Sequence, residues 1–338
     1  MLRKISLIGS LLLLLSIPNV SKAIDAAKPF LGRWALSLPG GAGWLEVKQM
    51  DNYLDASLLW FGGSVEPVTS VYMEGNTLVV TRTRTFVRTT NAAGAPARTH
   101  VANTLFRFSL YGDLMIGEQV SPEKDGSSTT MRFTGKKIPD VPAAPDLSKV
   151  VYGKPVKLLN GKDLTGWKLL EPNKTNGWSI VDGVLVNDPA QKEGQPHIAY
   201  GNLCTVDKFE DFNLKLQVNV PAGSNSGVYL RGIYEIQVLD SYGKPLDPHN
   251  MGALYSRITP SESAEKPAGT WQDLDITLCD RHVTVILNGK TIIDNQPVLG
   301  CTGGAITSDE FIPGPIYLQG DHGKVSYRNI EIKPILKK

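Results

Sequence analysis

The feature that most constrains the fold of this chain is its punctuation. Between about residue 24 and residue 137, turn signals recur at short intervals: Gly40-Gly41, Gly62-Gly63, Glu74-Gly75-Asn76, Tyr111-Gly112-Asp113 and Asp125-Gly126. A helix needs an unbroken 3.6-residue period over ten or more positions, and no stretch there supplies one. The runs left between the turns cover residues 43–50, 54–60, 77–87, 101–111, 113–118 and 129–135. Their spacing predicts an antiparallel meander, closed into a barrel or stacked as a sandwich. Gly and Pro supply 33 and 22 of the 338 residues, well above their usual share, as many short elements joined by turns require.

Proline spaced through small and polar residues in IPDVPAAPDLSKVVYGKP cannot continue a sheet, so residues 138–155 are expected to be an extended linker. The segment after it, residues 156–338, is again strand-rich, with clear runs at 212–220, 226–231, 234–239, 273–279, 282–287, 316–318 and 325–332. Asn288-Gly289 between two such runs signals a tight hairpin. Consecutive hairpins with one long excursion predict a two-sheet sandwich. That excursion, residues 241–269, carries Pro245, Pro248, Pro260 and Pro267, and a loop of such length inside a compact domain is usually functional. The expected organisation is therefore all-β: a barrel-like domain over residues 24–137, the linker, and a sandwich over 156–338. Gly32-Arg33-Trp34 and Arg132 resemble the lipocalin-like barrels, in which a Trp near the first strand packs under an Arg from the last.

Residues 1–23 read differently. Arg3 and Lys4 precede an apolar run over 5–17, and Ser21-Lys22-Ala23 has small residues where a signal peptidase reads them. The run is shorter than the ~20 residues a transmembrane helix needs, so a cleaved export signal is expected, with a periplasmic or secreted product. No cysteine near the cut offers a site for lipid attachment. Removal takes Arg3, Lys4 and Lys22 and no acid, so the net charge falls from +2 to −1. A near-neutral mature chain lacks the basic field that nucleic acid requires. Cys204, Cys279 and Cys301 are an odd number and form no close metal-type pair, leaving one bridge with a spare thiol, or three buried thiols.

A series of motifs then runs in order: NGKDLTGW at 160–167, GWSIVDGVL at 177–185, DFNLKLQV at 211–218, NSGVYLRG at 225–232, YEIQVLD at 234–240, GALY at 252–255, GPIYLQ at 314–319 with DHG at 321–323, and YRNIEIK at 327–333. Over about residues 156–334 this series resembles the 3-keto-disaccharide hydrolase family. The resemblance implies a concanavalin-like jelly-roll sandwich and cleavage of glycosides whose glucosyl ring is already oxidised at carbon 3. A carbonyl at C3 acidifies the C2 proton, because the carbanion delocalises as an enolate. A base then removes that proton, the group on C1 departs, and water adds to the enone. No oxocarbenium ion and no paired carboxylates are needed. The enolate needs a positive partner, an arginine or a divalent metal ion, in a partly dry site.

Strand alternation suggests which side chains share a face. Tyr234, Ile236 and Val238 point one way, into the core, and Glu235 and Gln237 the other. By the same rule Tyr317 and Gln319 point away from Ile316 and Leu318. Glu235 is the candidate general base or metal ligand, and a strand carboxylate paired with Arg231 is the competing reading. Arg231 would neutralise the enolate or hold Glu235. Gln237 and Gln319 suit hydroxyl recognition or a cross-strand amide ladder. His322, between Asp321 and Gly323, is a candidate proton carrier or metal ligand; the family has one residue where this chain has Gly320-Asp321. Asp240 would complete a cation site with Glu235 and His322, or cap a turn. His249 and Tyr255, in the long loop, would close over the sugar. A divalent cation and a carbohydrate are thus the expected ligand partners. A lectin without turnover would use the same polar sheet face, and an ordinary glycosidase would need Glu235 and Asp240 as its pair.

Overall fold

The computed structural model describes residues 25–88, 98–123 and 125–337. The expected leader lies outside them. Among the described residues, helical turns are confined to 25–30 and no helix is long and apolar enough to cross a membrane.

The first half is an antiparallel meander of β1 (Gly32–Leu38), β2 (Gly41–Gln49), β3 (Leu54–Trp60), β4 (Glu66–Pro67), β5 (Ser70–Glu74), β6 (Thr77–Arg88), β7 (Arg98–Tyr111), β8 (Leu114–Pro122) and β9 (Ser128–Ile138). Every pair of sequence neighbours except β4 and β5 is hydrogen-bonded, and β9 returns to β1. The segment β4–β5 bonds to β3 with its first part and to β6 with its second: Val68 N–H donates to Ala56 O and Thr69 N–H to Thr81 O. The sheet therefore closes on itself, which removes its open edges. Alternation turns Trp34, Leu36, Leu45, Phe106, Phe108 and Phe133 inward, and these side chains fill the interior. Lys137, not Arg132, lies over the Trp34 ring, 5.6 Å from its centroid. Register explains the correction: Trp34 sits opposite Lys137 on β9, whereas Arg132 faces outward and pairs with Glu118.

The second half is a two-sheet sandwich. Its larger sheet contains β10 (Val151–Tyr152), β11 (Val156–Lys157), β13 (Trp178–Val181), β14 (Val184–Asn187), β16 (Phe212–Asn219), β19 (Trp271–Cys279), β20 (His282–Leu287), β21 (Lys290–Pro297) and β23 (Val325–Lys337). The smaller runs in the order β12 (Trp167–Leu169), β15 (Leu203–Thr205), β22 (Tyr317–Leu318), β17 (Asn225–Leu230), β18 (Tyr234–Leu239). Leu214, Leu216, Leu274, Ile276 and Val285 of the larger sheet pack against Val228, Leu230, Ile236, Val238 and Leu318 of the smaller. This buried apolar layer is the main stabilising term of the sandwich. All three cysteines are buried, and none is in a disulfide.

The two halves meet along a seam. Ala42, Trp44, Leu59 and Ile138 join the sandwich's core. The half-buried Arg257 guanidinium stacks 4.4 Å from the Trp44 ring centroid and donates to Cys301 O at 2.8 Å. Gly300 is needed there, since a Cβ at that position would meet Trp44 Nε1 at 2.2 Å. Arg281 donates to Asp140 O at 2.6 Å and Asn295 to Pro145 O at 2.9 Å, so the proline-rich segment lies along the sandwich.

Candidate functional site

The site lies on the face of the smaller sheet turned away from the apolar layer. The β17–β18 hairpin builds it, closed by Arg231-Gly232 with left-handed φ of 56° and 67°. Residues directly opposite on antiparallel strands share a face. Tyr229 is opposite Glu235, and Gly227 is opposite Gln237. Tyr317 of β22 is opposite Tyr229, and their rings stack at 3.9 Å with 10° between planes. The other edge of β18 is taken by the long loop: Gln237 N–H donates to Ala253 O and Tyr255 N–H to Glu235 O, each at 3.0 Å. Glu235 and Gln237 are consequently only 3% exposed. Loops from both halves of the chain cross this polar face, so that Glu235 and Gln237 face an enclosed groove and not open solvent.

What remains open is a cavity of about 220 Å³ lined by Gly62, Gly63, Asn225, Tyr229, Glu235, Gln237, Tyr255, Gly303, Gly304, Gln319 and His322. Glu235 lies over Gly227, where a Cβ would stand 2.2 Å from Oε1. Tyr229 Oη sits 2.8 Å from Glu235 Oε2 and 2.7 Å from Gly303 O. A phenol has one hydrogen, so it serves one acceptor at a time. When Glu235 is protonated it donates to Oη, and Tyr229 donates to Gly303 O. When Glu235 is ionised, Tyr229 donates to the carboxylate. Burial pushes Glu235 up to about 8, opposed by the Tyr229 hydrogen bond. Burial also holds Tyr229 well above the usual phenol range, so the donor keeps its proton.

Amides supply the rest of the wall. Buried Oδ1 of Asn225 and Oε1 of Gln319 have no hydrogen-bond partner within the protein. Both residues line the cavity, and unpaired buried acceptors are costly unless a ligand donor reaches them. His322 stands at the exposed rim. Its turn is pinned from behind: Asn187 donates to Gly320 O and Gly323 O at 2.9 and 3.1 Å, and Asp321 Oδ1 accepts Tyr200 N–H at 2.8 Å. Asp321, part of the departure from the family pattern, is thus absorbed into the turn while His322 lines the cavity.

The structure brings together Glu235, Gln237, Gln319, Tyr255 and His322 from the sequence candidates. It separates four others. Arg231 lies in the hairpin turn and donates to Glu310 O at 2.7 Å and Ile312 O at 2.5 Å, anchoring that loop instead of pairing with Glu235 or lining the cavity. Tyr317 is buried beneath Tyr229, with its hydroxyl donating to Gly304 O at 3.2 Å, so it supports the floor. His249 stands behind Tyr255, their rings edge to face at 4.9 Å. Asp240, past the end of β18, accepts Gly223 N–H at 2.9 Å and caps that turn. The structure thus places Asp240 apart from Glu235 and His322, which share the cavity. No group of three His, Cys, Asp or Glu side chains among the described residues is arranged to hold a metal ion. Asn225 and Tyr229 were missed as site residues, although the alternation of 225–230 opposite Glu235 carries the signal. Gly62, Gly63, Gly303 and Gly304 carry none, since no local pattern reports a contact between distant loops.

Among solved structures, a proposed glycosyl hydrolase from Parabacteroides distasonis is 28% identical, covering 59% of this chain and 94% of its own at a TM-score of 0.45. A second from that organism is 26% identical, covering 54% and 100%, with a TM-score of 0.41. The carbohydrate-binding module CBM66 from Bacillus subtilis is 11% identical over 49% of this chain and 94% of its own, with a TM-score of 0.32. No curated protein matches the sequence. Residues 154–333, more than half of the chain, match the profile of the 3-keto-alpha-glucoside-1,2-lyase-like domain, and the chain belongs to that family.

Proposed function

We propose that this protein cleaves 3-keto-glucosides, including 3-keto-disaccharides, by removing the C2 proton, expelling the C1 substituent and hydrating the resulting enone. The observation that carries the reading is a single buried carboxyl, Glu235, with a raised pKa in an otherwise neutral, amide-rich cavity. A carbonyl-activated C–H is a weak acid, and a carboxylate with a pKa near 8 is a stronger base toward it than an ordinary one. Burying a carboxyl away from an ion-pair partner is costly, and a site that only bound sugar would gain nothing from it. The cavity lining holds no second carboxyl, and Asp240 lies elsewhere, which disfavours the two-carboxylate route of ordinary glycosidases.

In the ionised state Glu235 takes the proton from C2, and the electron pair moves into the C3 carbonyl. There N–H groups of the cavity's amide side chains take the part expected from the sequence of an arginine or a metal ion. Collapse of the enolate forms the C1=C2 bond and breaks the bond from C1 to the leaving oxygen. His322 at the rim gives that oxygen a proton. Water then adds its hydroxyl to C1 and a hydrogen to C2, so that alcohol and 3-keto-glucose are released. Asn225 and Gln319 use their unpartnered amide oxygens to accept sugar hydroxyls, which fixes the ring over Glu235. Tyr255 closes one side. The leader over residues 1–23 would deliver the enzyme to the periplasm or beyond.

The test is a matched pair of substrates. Purified protein is expected to release methanol or the second sugar from a 3-keto-glucoside, and to leave the unoxidised glucoside intact. Equal release from both would overturn the reading in favour of an ordinary glycosidase, and binding without release would favour a lectin.

A further inference from the structure

Two of the cavity-lining residues, Gly62 and Gly63, come from the loop after β3, far outside the family match at 154–333. That loop is fixed to the sandwich at several points. Gly304 N–H donates to Phe61 O at 2.9 Å, and Val65 N–H donates to Ser256 Oγ at 3.1 Å. Gly303 lies so close that a Cβ there would stand 2.1 Å from Gly63 O. Between these points runs a three-residue relay. His249 Nδ1 is 2.5 Å from Asp247 Oδ1, and His249 Nε2 is 2.8 Å from Ser64 Oγ. A carboxylate only accepts, so Nδ1 carries the hydrogen; in the neutral ring Nε2 then accepts from the Ser64 hydroxyl. His249 in turn backs the Tyr255 ring on the cavity wall. One latch thus holds a loop of the barrel and a wall of the site.

We infer that the Gly62-Gly63 turn is the platform for the leaving group and that the Asp247–His249–Ser64 latch sets how large a leaving group the enzyme accepts. This rests on the proposed reaction. Glu235, on the buried floor, must reach C2. C1 is the adjacent ring atom, so its substituent projects toward the rim, where Gly62, Gly63 and His322 are exposed. Two residues without side chains present bare backbone N–H and C=O groups and room for a second sugar ring. The barrel is then a specificity element of the active site, not an independent binding module.

Gly62 allows a direct test, because its φ is not left-handed and a Cβ there meets nothing within 4 Å. Kinetics are measured on a 3-keto-disaccharide and on methyl 3-keto-glucoside, with Gly62→Phe and Ser64→Ala beside the wild type. Filling the platform with Gly62→Phe should lower the disaccharide-to-methyl ratio of kcat/KM about tenfold or more. Loosening the latch with Ser64→Ala should lower it about threefold, through KM on the disaccharide. A ratio within twofold of wild type in both folded variants, including an equal fall on both substrates, would overturn the assignment. Wild-type turnover of the methyl glycoside reports the reaction separately. Should it be absent, the same ratio is read by calorimetric titration with the unoxidised disaccharide and methyl glucoside, and the same outcomes decide.

Discussion

Glu235→Gln is expected to lower kcat on a 3-keto-glucoside by about a thousandfold while leaving the fold intact, the upper range for loss of a positioned base. The amide is isosteric and still accepts from Tyr229, but cannot take a proton from carbon. The wild-type pH profile should bear the same signature. Only ionised Glu235 is a base, so kcat/KM should rise with pH through a limb centred near 8. Stability runs the other way. The folded carboxyl holds its proton up to about 8, whereas the unfolded one releases it near its ordinary value of 4.5. The folded state therefore binds more protons across that window, and its stability falls as pH rises through it, by at most about 1.4 kcal/mol per pH unit. Glu235→Gln removes this slope and should melt higher than wild type at pH 8. Near-normal turnover in the variant would exclude Glu235 as the base.

Gly227→Ala is the second large expectation: about a hundredfold loss of kcat from one added methyl. Its Cβ would stand 2.2 Å from Glu235 Oε1 and 2.9 Å from Cδ, too close for any real contact. The carboxyl must swing aside, which breaks its 2.8 Å contact with Tyr229 and displaces the base from C2. Misplacement on the order of 1 Å suffices for a loss of that size. The backbone tolerates the change, since Gly227 has no left-handed φ and alanine is the better strand residue. Circular dichroism should stay near wild type and melting should fall only modestly, by the cost of about 1–3 kcal/mol for displacing a buried hydrogen-bonded group, while turnover falls. A variant within threefold of wild type would mean that the carboxyl can act from another position.

How much of this was legible in the sequence depends on the range of the interactions involved. Strands and hairpins are local, and punctuation by glycine, proline and Asn-Gly exposed them in both halves. Alternation placed Glu235 and Gln237 on one face, opposite Ile236 and Val238, because a two-residue period is fixed by backbone geometry. Burial was not legible: the cover over Glu235 comes from residues 62–63 and 303–304, which no local pattern links to β18. Arg231 looked like a partner for Glu235 four residues away. Its left-handed turn conformation instead sends the guanidinium to the carbonyls of Glu310 and Ile312. Asp240 follows its turn-capping reading and not the cation-site one, since a carboxylate at a strand end finds the nearest free backbone N–H, here that of Gly223. In the barrel, the Trp34 cation was expected from Arg132, and register assigned it to Lys137.

The most direct test of the central claim follows the hydrogen on C2. A 3-keto-glucoside deuterated at that carbon is offered in ordinary water, for times too short for uncatalysed exchange. Slower cleavage, with protium at C2 of the released 3-keto-glucose, is the predicted result, because that bond must break and be remade from solvent. Cleavage at the undeuterated rate with the label fully retained would contradict the account.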